Sequence, residues 1–180
     1  MTPFEKTEVK WNAGRVDRWH AHPTIHGQTV ADHTYGVLQW LKLIVPPTEL
    51  SKRLIMAALD HDIAETFTGD TPYTAKRLYP KLKNALTEAE QDIHERLDAC
   101  YVLIGNEVAW LKFADLTDMG FYAIRERAMG NGFMAPILSN IIFDLEVVCN
   151  QYGATPGMRE ILNYFIKEGS SWEQTTIPSK

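Results

Sequence analysis

Cysteine, basic charge and long apolar runs are scarce in this sequence, and each scarcity excludes a class of protein. Only two cysteines occur among 180 residues, Cys100 and Cys149, which argues against a disulfide framework and favours a reducing compartment. Both lie in apolar stretches, which predicts core thiols. The formal net charge of −5 argues against a protein that wraps duplex nucleic acid or lies on an acidic membrane surface.

The sequence also lacks a segment that predicts export or membrane insertion. The amino terminus contains no apolar block of the signal-peptide kind, and we expect no run that approaches the length of a bilayer span. We therefore expect a cytoplasmic protein whose partner is a small molecule. With 45% hydrophobic residues, 180 residues suffice for one domain with a sizeable core.

Apolar residues recur at helical spacing along most of the chain, without an internal repeat, a low-complexity segment or a convincing strand. The fold class is therefore predicted to be all-α, with one domain at 1–169 and a polar tail at 170–180 that frays or contacts another subunit. The predicted helices span about 2–11, 29–45, 48 or 51 to 67, 87–105, 107–129, 133–151 and 156–167.

One long stretch, residues 14–27, has no clean period, is bounded by glycines and contains three of the six histidines. Ordered loops of this length are uncommon in compact domains and tend to be functional. Trp19 beside Arg18 offers a stacking surface next to an anion contact. The alternative is that Trp19 only fills the core.

His61 and Asp62 form a doublet, and Glu65 follows His61 four residues later. The doublet can supply one imidazole nitrogen and one carboxylate oxygen to a divalent ion, and a continuous helix would place Glu65 on the face of His61. A bare His-Asp pair is common, so an ordinary pair on a helix surface is the alternative interpretation.

His33 and Asp115 each lie near the apolar face of another predicted helix. An unpaired buried charge is costly, so Asp115 needs a partner, whereas Asp118, one turn later, is predicted to be solvated. Three helices thus each present a metal-competent element, in the order His33, His61-Asp62 and Asp115.

This order resembles the metal signature of the HD-domain phosphohydrolase superfamily. The segments QTVADHTYGV (28–37), HDIAETFTGDTP (61–72) and FAD (113–115), with Arg18-Trp19 ahead of them, resemble the YfbR-like 5′-deoxyribonucleotidase branch. That branch includes the small phage DatZ-type dATP triphosphohydrolases. The resemblance runs from about residue 15 to 125 and implies an HD-domain helical bundle with a long N-terminal active-site loop.

The resemblance implies a divalent transition metal, zinc, cobalt, manganese or iron, held by His33, His61, Asp62 and Asp115. Two imidazoles and two carboxylates form a mixed nitrogen and oxygen set that suits these ions. A metal-activated water would attack the phosphorus next to the nucleoside 5′-oxygen. Glu65 is implied to orient or deprotonate that water.

The resemblance also implies substrate contacts for three further residues. Arg18 resembles the arginine that contacts phosphate, and Trp19 the residue packed against the sugar, where it excludes a ribose 2′-hydroxyl. Asp70 resembles a second catalytic carboxylate, close to the sugar or to an additional metal, magnesium for example, that arrives with the phosphates. The alternative is that Asp70 only caps the following segment.

Lysines favour a triphosphate substrate over a monophosphate. Lys76, in a basic run, and Lys112, one turn before Asp115, are placed to neutralise additional phosphoryl groups, and Lys81 is a looser candidate. Solvated lysines are the alternative. We therefore expect a triphosphohydrolase that acts on a deoxynucleoside triphosphate, dATP in particular, as a homo-oligomer of two or more subunits. A 5′-deoxyribonucleotidase and a non-catalytic protein that binds metal or nucleotide are the other candidates.

Overall fold

Nine α-helices, one 3-10 turn and two short strands make up the described part of the chain. The computed structural model describes residues 1–171 of the 180. The strands are β1 (Asp17–Arg18) and β2 (Gln28–Thr29), and the 3-10 turn is Gly132–Met134. The helices are α1 (Pro3–Ala13), α2 (Val30–Ile44), α3 (Lys52–Asp60), α4 (Glu65–Thr68), α5 (Tyr73–Leu78), α6 (Pro80–Arg96), α7 (Glu107–Ala128), α8 (Ala135–Tyr152) and α9 (Pro156–Ser171).

Helix α7 lies at the centre of the bundle, where α2, α8 and α9 pack against it. Its Phe113 and Ala123 are fully buried, and so is Val37 of α2. A Cβ at Gly120 would lie 2.3 Å from Phe165 Cε2, so glycine at this position lets the Phe165 ring of α9 enter the core. Burying a side chain of this size stabilises the fold by about 1.5–3 kcal/mol.

Side-chain caps determine where three helices begin. Thr2 and Glu5 form a capping box at α1, Thr29 and Asp32 form another at α2, and the Ser51 hydroxyl accepts a backbone hydrogen bond at α3. Each cap satisfies an N–H group that the helix leaves unpaired, and losing one typically costs about 1 kcal/mol. These three helix starts confirm the predicted ones.

The predicted helix at 51–67 is interrupted. Helix α3 ends at Asp60, and a turn at 61–64 separates it from the four-residue α4. His61 Nδ1 lies 2.7 Å from the Ala58 carbonyl oxygen, and this contact competes with the backbone ladder at the end of α3. His61 and Glu65 therefore do not share a continuous helix, and that prediction is wrong.

The predicted helix at 87–105 is also wrong in its bounds. Helix α6 begins at Pro80 and ends at Arg96, so Thr87 lies in its interior and does not cap it. Proline suits the first helical position because its φ is already helical and it has no N–H group to leave unpaired. Pro80 therefore starts the helix about two turns earlier than the predicted start at 87.

The predicted loop at 14–27 is closed by strand pairing, although no strand was predicted. Strands β1 and β2 are antiparallel, with Asp17 opposite Thr29 and Arg18 opposite Gln28. The far side of the loop is held by Glu126 of α7, a fully buried carboxylate that accepts hydrogen bonds from two loop N–H groups. The loop is therefore fastened at its base and at its tip.

The segment Gly132–Tyr152, which contains α8, is long and apolar enough to cross a membrane by length and composition alone. The expectation that no run approaches this length is therefore wrong. The core helix of a water-soluble bundle passes the same test. Helix α8 packs against α7 and α9 through one face, on which Leu138, Ile141 and Leu145 are fully buried, and 33% of the apolar window is buried in all.

Both cysteines are free, and only one of them is even partly buried. Cys149 of α8 is half-buried, whereas Cys100 is exposed, so the prediction of two core thiols is wrong for Cys100. That residue lies in the irregular segment after α6, outside the helix that was expected to bury it. At the carboxyl end α9 reaches Ser171, and the rest of the predicted tail, 172–180, lies outside the described residues.

Candidate active site

Three potential ligand atoms form a small triangle between α2 and the turn after α3. His33 Nε2 lies 3.3 Å from His61 Nε2 and 3.6 Å from Asp62 Oδ2, and the last two atoms are 3.4 Å apart. Ligand atoms that share one ion at about 2.1 Å are themselves separated by roughly 3 to 3.5 Å. The triangle therefore fits a single divalent ion.

Asp115 of α7 adds a fourth potential ligand. Its Oδ1 lies 3.3 Å from His33 Nε2, and its Oδ2 accepts a 2.8 Å hydrogen bond from Lys112. Burial opposes the negative charge, but Lys112 and His33 outweigh it and hold the pKa of Asp115 well below its usual value. The structure thus brings the four residues of the predicted ligand set together, with Asp115 ionised.

Both histidines turn Nε2 toward the cluster because Nδ1 has a partner on the other side. His61 Nδ1 lies 2.7 Å from the Ala58 carbonyl, and His33 Nδ1 lies 2.7 Å from Asp118 Oδ2. A carbonyl oxygen only accepts, so the proton of neutral His61 is on Nδ1 and the Nε2 lone pair is free for a ligand. Histidine ligands in metal sites have this arrangement, with an acceptor behind the ring.

Asp118 was predicted to be solvated, and this is wrong. It is buried, and its Oδ2 also accepts a 3.0 Å hydrogen bond from Gln28 Nε2. Neither Asp118 nor Gln28 was among the predicted site residues. The one signal in the sequence is the three-residue spacing from Asp115, which places both aspartates on one face of α7.

The surroundings of His33 favour positive charge. Burial and the charge of Arg18 lower its pKa, but hydrogen bonds to Asp115 and Asp118 and the charge of Asp62 outweigh them and raise the pKa to about 9. An environment that stabilises a proton at this nitrogen also stabilises a metal cation placed there.

A pocket of about 620 Å³, including its open mouth, is lined by Asp62 and Asp115. Its wall also includes His22, Tyr73 and Met119, which were not predicted, whereas Lys81 is not part of it. The six predicted site residues other than the metal ligands all line it: Arg18, Trp19, Glu65, Asp70, Lys76 and Lys112.

Arg18 reaches two carboxylates at the floor of this pocket. Its Nη1 lies 2.6 Å from Asp62 Oδ2 and 3.8 Å from Glu65 Oε2. Burial and then the charge of Asp62 raise the pKa of Glu65 to about 8, although Arg18 opposes this. Arg18 Nε and Glu65 Oε2 are both buried without a hydrogen-bond partner within residues 1–171. Unpaired buried polar atoms of this kind indicate a place for a ligand or water.

Trp19 is held in an unusual backbone conformation, with a φ of 64°. Its N–H donates to Asp70 Oδ2 at 3.1 Å, its indole Nε1 donates to Gln28 Oε1 at 2.7 Å, and its ring stacks on Tyr122. Such strain costs on the order of 1–3 kcal/mol and persists only where the surroundings enforce it. Trp19 is therefore both a buried side chain and part of the pocket wall. Asp70 binds the Trp19 backbone and does not cap α5, which has no side-chain cap.

Comparison with known sequences identifies relatives that cover part of the chain. The profile of the 5′-deoxynucleotidase YfbR-like family matches residues 12–101. A dATP triphosphohydrolase of Salmonella phage PMBT28 is 32% identical over 102 residues, which is 50% of this chain and 50% of that protein. The match thus spans about half the length of this curated relative.

Comparison with solved structures extends the likeness to the whole fold. The HD phosphohydrolase DatZ of cyanophage S-2L, solved with dA and one catalytic Zn²⁺ ion, superposes with a TM-score of 0.64 at 20% identity, covering 92% of this chain and 96% of that one. A protein of Pyrococcus horikoshii OT3 superposes with a TM-score of 0.67 at 20% identity, covering 92% and 99%. These likenesses confirm the predicted all-α HD-domain bundle.

Proposed function

The chain belongs to the YfbR-like 5′-deoxynucleotidase family, and on that premise we propose that it is a metal-dependent triphosphohydrolase of 2′-deoxyribonucleoside triphosphates, with dATP as its substrate. It would cleave between the 5′-oxygen and the α-phosphorus and release deoxynucleoside and triphosphate. The observation that carries the proposal is the lining of one pocket, which contains two of the candidate metal ligands, a glutamate and three cationic side chains.

The metal would be held by His33, His61, Asp62 and Asp115. Their mixed nitrogen and oxygen set fits zinc, cobalt, manganese or iron, and the relative solved with Zn²⁺ favours zinc. When bound, the ion supplies a Lewis acid that acidifies a water and offsets charge on the phosphoryl oxygens. Magnesium entering with the phosphates is a second expected cation, next to Asp70.

Glu65 would act as the base for the attacking water. Its carboxylate is buried beside Asp62, and the resulting pKa of about 8 makes it a stronger proton acceptor than an exposed glutamate once it is ionised. Arg18, whose Nη1 is 3.8 Å from Glu65 Oε2, favours the ionised form of the glutamate. The proton taken from water would rest on the Glu65 carboxylate until the 5′-oxygen leaves.

Arg18, Trp19 and Asp70 would bind the part of the substrate around the scissile bond. The fixed guanidinium of Arg18 suits a phosphoryl oxygen. The Trp19 ring, buried and stacked, is a rigid surface for the deoxyribose, where a 2′-hydroxyl would meet an apolar wall. Asp70 holds the Trp19 backbone at 3.1 Å and has a second oxygen for the sugar or for a cation.

Lys76 and Lys112 support the triphosphate over the monophosphate. Both line the pocket, and their side chains are 33% and 54% exposed, so they can reach phosphates that extend toward the mouth. Lys76 is 3.9 Å from Glu90, whereas Lys112 is bound to Asp115 at 2.8 Å. Lys76 is therefore the lysine with more freedom to contact a β- or γ-phosphate. The phage relative named as a dATP triphosphohydrolase also favours this version.

The 5′-deoxyribonucleotidase is the second candidate, since the family description names that activity. The zinc-loaded protein is incubated with dATP and with dAMP, and triphosphate, orthophosphate and deoxyadenosine are measured. We expect deoxyadenosine and triphosphate from dATP. Orthophosphate from dAMP with no turnover of dATP would replace the triphosphohydrolase by the nucleotidase. Zinc and nucleotide binding without any product would favour a non-catalytic binding protein.

Substitution of Lys76 separates the two versions further. Lys76→Ala is expected to raise KM for dATP several-fold, on the order expected for one lost phosphate contact, with little effect on any turnover of dAMP. Lys52→Ala, on the exposed first turn of α3, is the control for loss of a lysine. An equal effect of both variants on dATP would contradict a role of Lys76 in phosphate binding.

We also propose a homo-oligomer that works in the cytoplasm. Large apolar side chains are exposed on α1 and α2, with Phe4 at 76%, Trp11 at 65% and Tyr35 at 66%, and such side chains are enriched at subunit interfaces. Two free cysteines suit a reducing compartment. Light scattering coupled to gel filtration tests the assembly, and a mass of one subunit would contradict it.

A further inference from the structure

We infer that Gln28 is a positioning residue that couples the sugar-facing Trp19 to the metal ligand His33 through Asp118. The inference rests on the proposed function only in giving Trp19 its sugar-binding role and His33 its metal. Its subject is a continuous path of hydrogen bonds between them, and the two middle residues, Gln28 and Asp118, lie outside the lining of the candidate active-site pocket.

The path consists of three short contacts. The Trp19 indole Nε1 donates to Gln28 Oε1 at 2.7 Å, Gln28 Nε2 donates to Asp118 Oδ2 at 3.0 Å, and His33 Nδ1 lies 2.7 Å from the same Oδ2. Gln28, Asp118 and Trp19 are each at most 9% exposed, and His33 is fully buried. Water therefore does not compete with these bonds, and breaking one leaves a buried group unpaired, at a cost of about 1–3 kcal/mol.

The amide of Gln28 satisfies both ends of the path. The indole N–H can only donate, and a carboxylate oxygen such as Asp118 Oδ2 accepts. The residue between them must therefore present an acceptor to the one and a donor to the other, which fixes the orientation of the Gln28 amide. Strand pairing sets its backbone, since Gln28 lies opposite Arg18 in the ladder.

The path links the sugar-facing part of the site to the metal-binding part, so that the position of one depends on the other. Trp19 belongs to the loop and His33 to α2, and Asp118 comes from α7. A shift of the indole would displace the Gln28 amide and, through it, the Asp118 carboxylate that orients the His33 ring. The ring angle of a ligand affects how tightly a metal is bound, and changes in the residues behind a ligand typically alter affinity about 10–100-fold.

Zinc affinity of the substrate-free protein tests the coupling. It is measured by competition with a chromophoric chelator for the wild type, Trp19→Phe, Gln28→Leu and the double variant. Trp19→Phe keeps a ring but removes the N–H, and we expect it to weaken zinc binding about threefold through the path, within the range of measured couplings. In the Gln28→Leu background the same change should have no effect. Equal effects in both backgrounds would overturn the inference.

Asp118→Asn is expected to weaken zinc binding about 10–100-fold. Thr117→Val is the matched control, because Thr117 is the adjacent fully buried residue of α7 and its hydroxyl donates to the Phe113 carbonyl in its own helix. Equal losses for Thr117→Val and Asp118→Asn would show a general weakening of α7 and overturn the inference. Circular dichroism verifies folding, and Gln28→Met replaces Gln28→Leu if the latter does not fold.

A second measurement uses the sugar. If the path holds Trp19 in position, Gln28→Leu should lower the ratio of kcat/KM for dATP to kcat/KM for ATP about tenfold, because the ring that excludes the 2′-hydroxyl is displaced. Thr117→Val should leave this ratio unchanged. An unchanged ratio in Gln28→Leu would contradict a positioning role toward Trp19. Absence of all nucleotide turnover would contradict the proposed function alone, since the zinc cycle requires no substrate.

Discussion

Gly36 of α2 and Asp118 of α7 are in such close contact that a side chain at position 36 would occupy the place of the carboxylate. A Cβ built on Gly36 would lie 1.8 Å from Asp118 Oδ1 and 2.6 Å from its Cγ. The glycine, one turn after His33 on the same helix, thus provides the space in which Asp118 reaches the His33 ring. Helix propensity would favour almost any other residue at this position.

Gly36→Ala is therefore expected to displace the Asp118 carboxylate and weaken zinc binding by at least tenfold, the lower end of the range for disturbed residues behind a ligand. Overpacking of this kind also costs about 1–3 kcal/mol of stability. Chelator competition and urea unfolding measure the two effects. Gly132→Ala is the control, because a Cβ there meets nothing within 4 Å. Unchanged zinc affinity in Gly36→Ala would contradict the role assigned to the contact.

Glu65→Gln is expected to remove catalysis and leave the metal in place. The amide cannot accept the proton of the attacking water, and the loss of a general base typically lowers kcat about 10²–10⁴-fold. Initial rates give kcat, and elemental analysis after dialysis gives the zinc content, which should equal that of the wild type. A variant that loses its zinc would make Glu65 a ligand, and a variant with unchanged kcat would remove it from the mechanism.

Removal of the metal is expected to lower thermal stability. A ligand at 100 times its Kd stabilises the folded state by about 2.7 kcal/mol, which corresponds to roughly 5–10 °C in Tm for a chain of this size. Melting curves with zinc and with EDTA measure the difference. His33→Ala should abolish it, whereas His20→Ala, an exposed loop residue outside the pocket wall, should preserve it. A zinc-dependent shift that persists in His33→Ala would place the metal elsewhere.

Glu107, at the start of α7, makes stability depend on pH. Its carboxylate, 6% exposed, accepts hydrogen bonds from Arg53 and Ser51, and the Arg53 bond contributes most to lowering its pKa from 4.5 to about 2. Because the folded-state pKa is the lower one, this stabilisation is fully present above about pH 4.5 and is lost as the pH falls toward 2.

Glu107→Gln should therefore reduce the free energy of unfolding by about 2 kcal/mol at pH 7, a value discounted for the partial exposure of Arg53. The difference from the wild type should shrink between pH 5 and pH 2. Urea unfolding at pH 7 and pH 3 measures it, with Glu88→Gln, an exposed position on α6, as the control. A difference that stays constant over this range would contradict the pKa shift.

Glu126 is expected to control the order of the active-site loop. Its carboxylate accepts hydrogen bonds from the Ile25 N–H at 2.7 Å, the His26 N–H at 2.9 Å and Asn131 Nδ2 at 2.8 Å. Glu126→Gln replaces one acceptor oxygen by a donor, and bonds to a charged group contribute about 1.5–3 kcal/mol each. Amide exchange at positions 25 and 26 should accelerate by at least tenfold.

The same variant should lower kcat/KM, because the loop contains Trp19. Glu160→Gln, exposed on α9, is the control for the change of residue type. Protection of the two amides at the wild-type level would show that the loop is ordered without this carboxylate.

Much of the fold follows from local patterns in the sequence. The helix that begins after Thr29 is predicted correctly because its apolar residues recur at helical spacing within one short segment. The order of His33, His61-Asp62 and Asp115 on separate predicted elements is likewise visible in the chain, since their chemistry depends only on residue type. These local features were enough to predict the helical bundle and to nominate the candidate ligands.

Tertiary structure decided what those patterns leave open. Asp115 and Asp118 look alike in sequence, and both contact His33 because α2 packs against this face of α7. Nothing in the sequence distinguishes Gln28 from other polar residues. In the folded protein, strand pairing places it between Trp19 and Asp118, which is 90 positions away from it in the chain. Burial and hydrogen-bond partners depend on which distant segment covers a residue, and no local period contains that information.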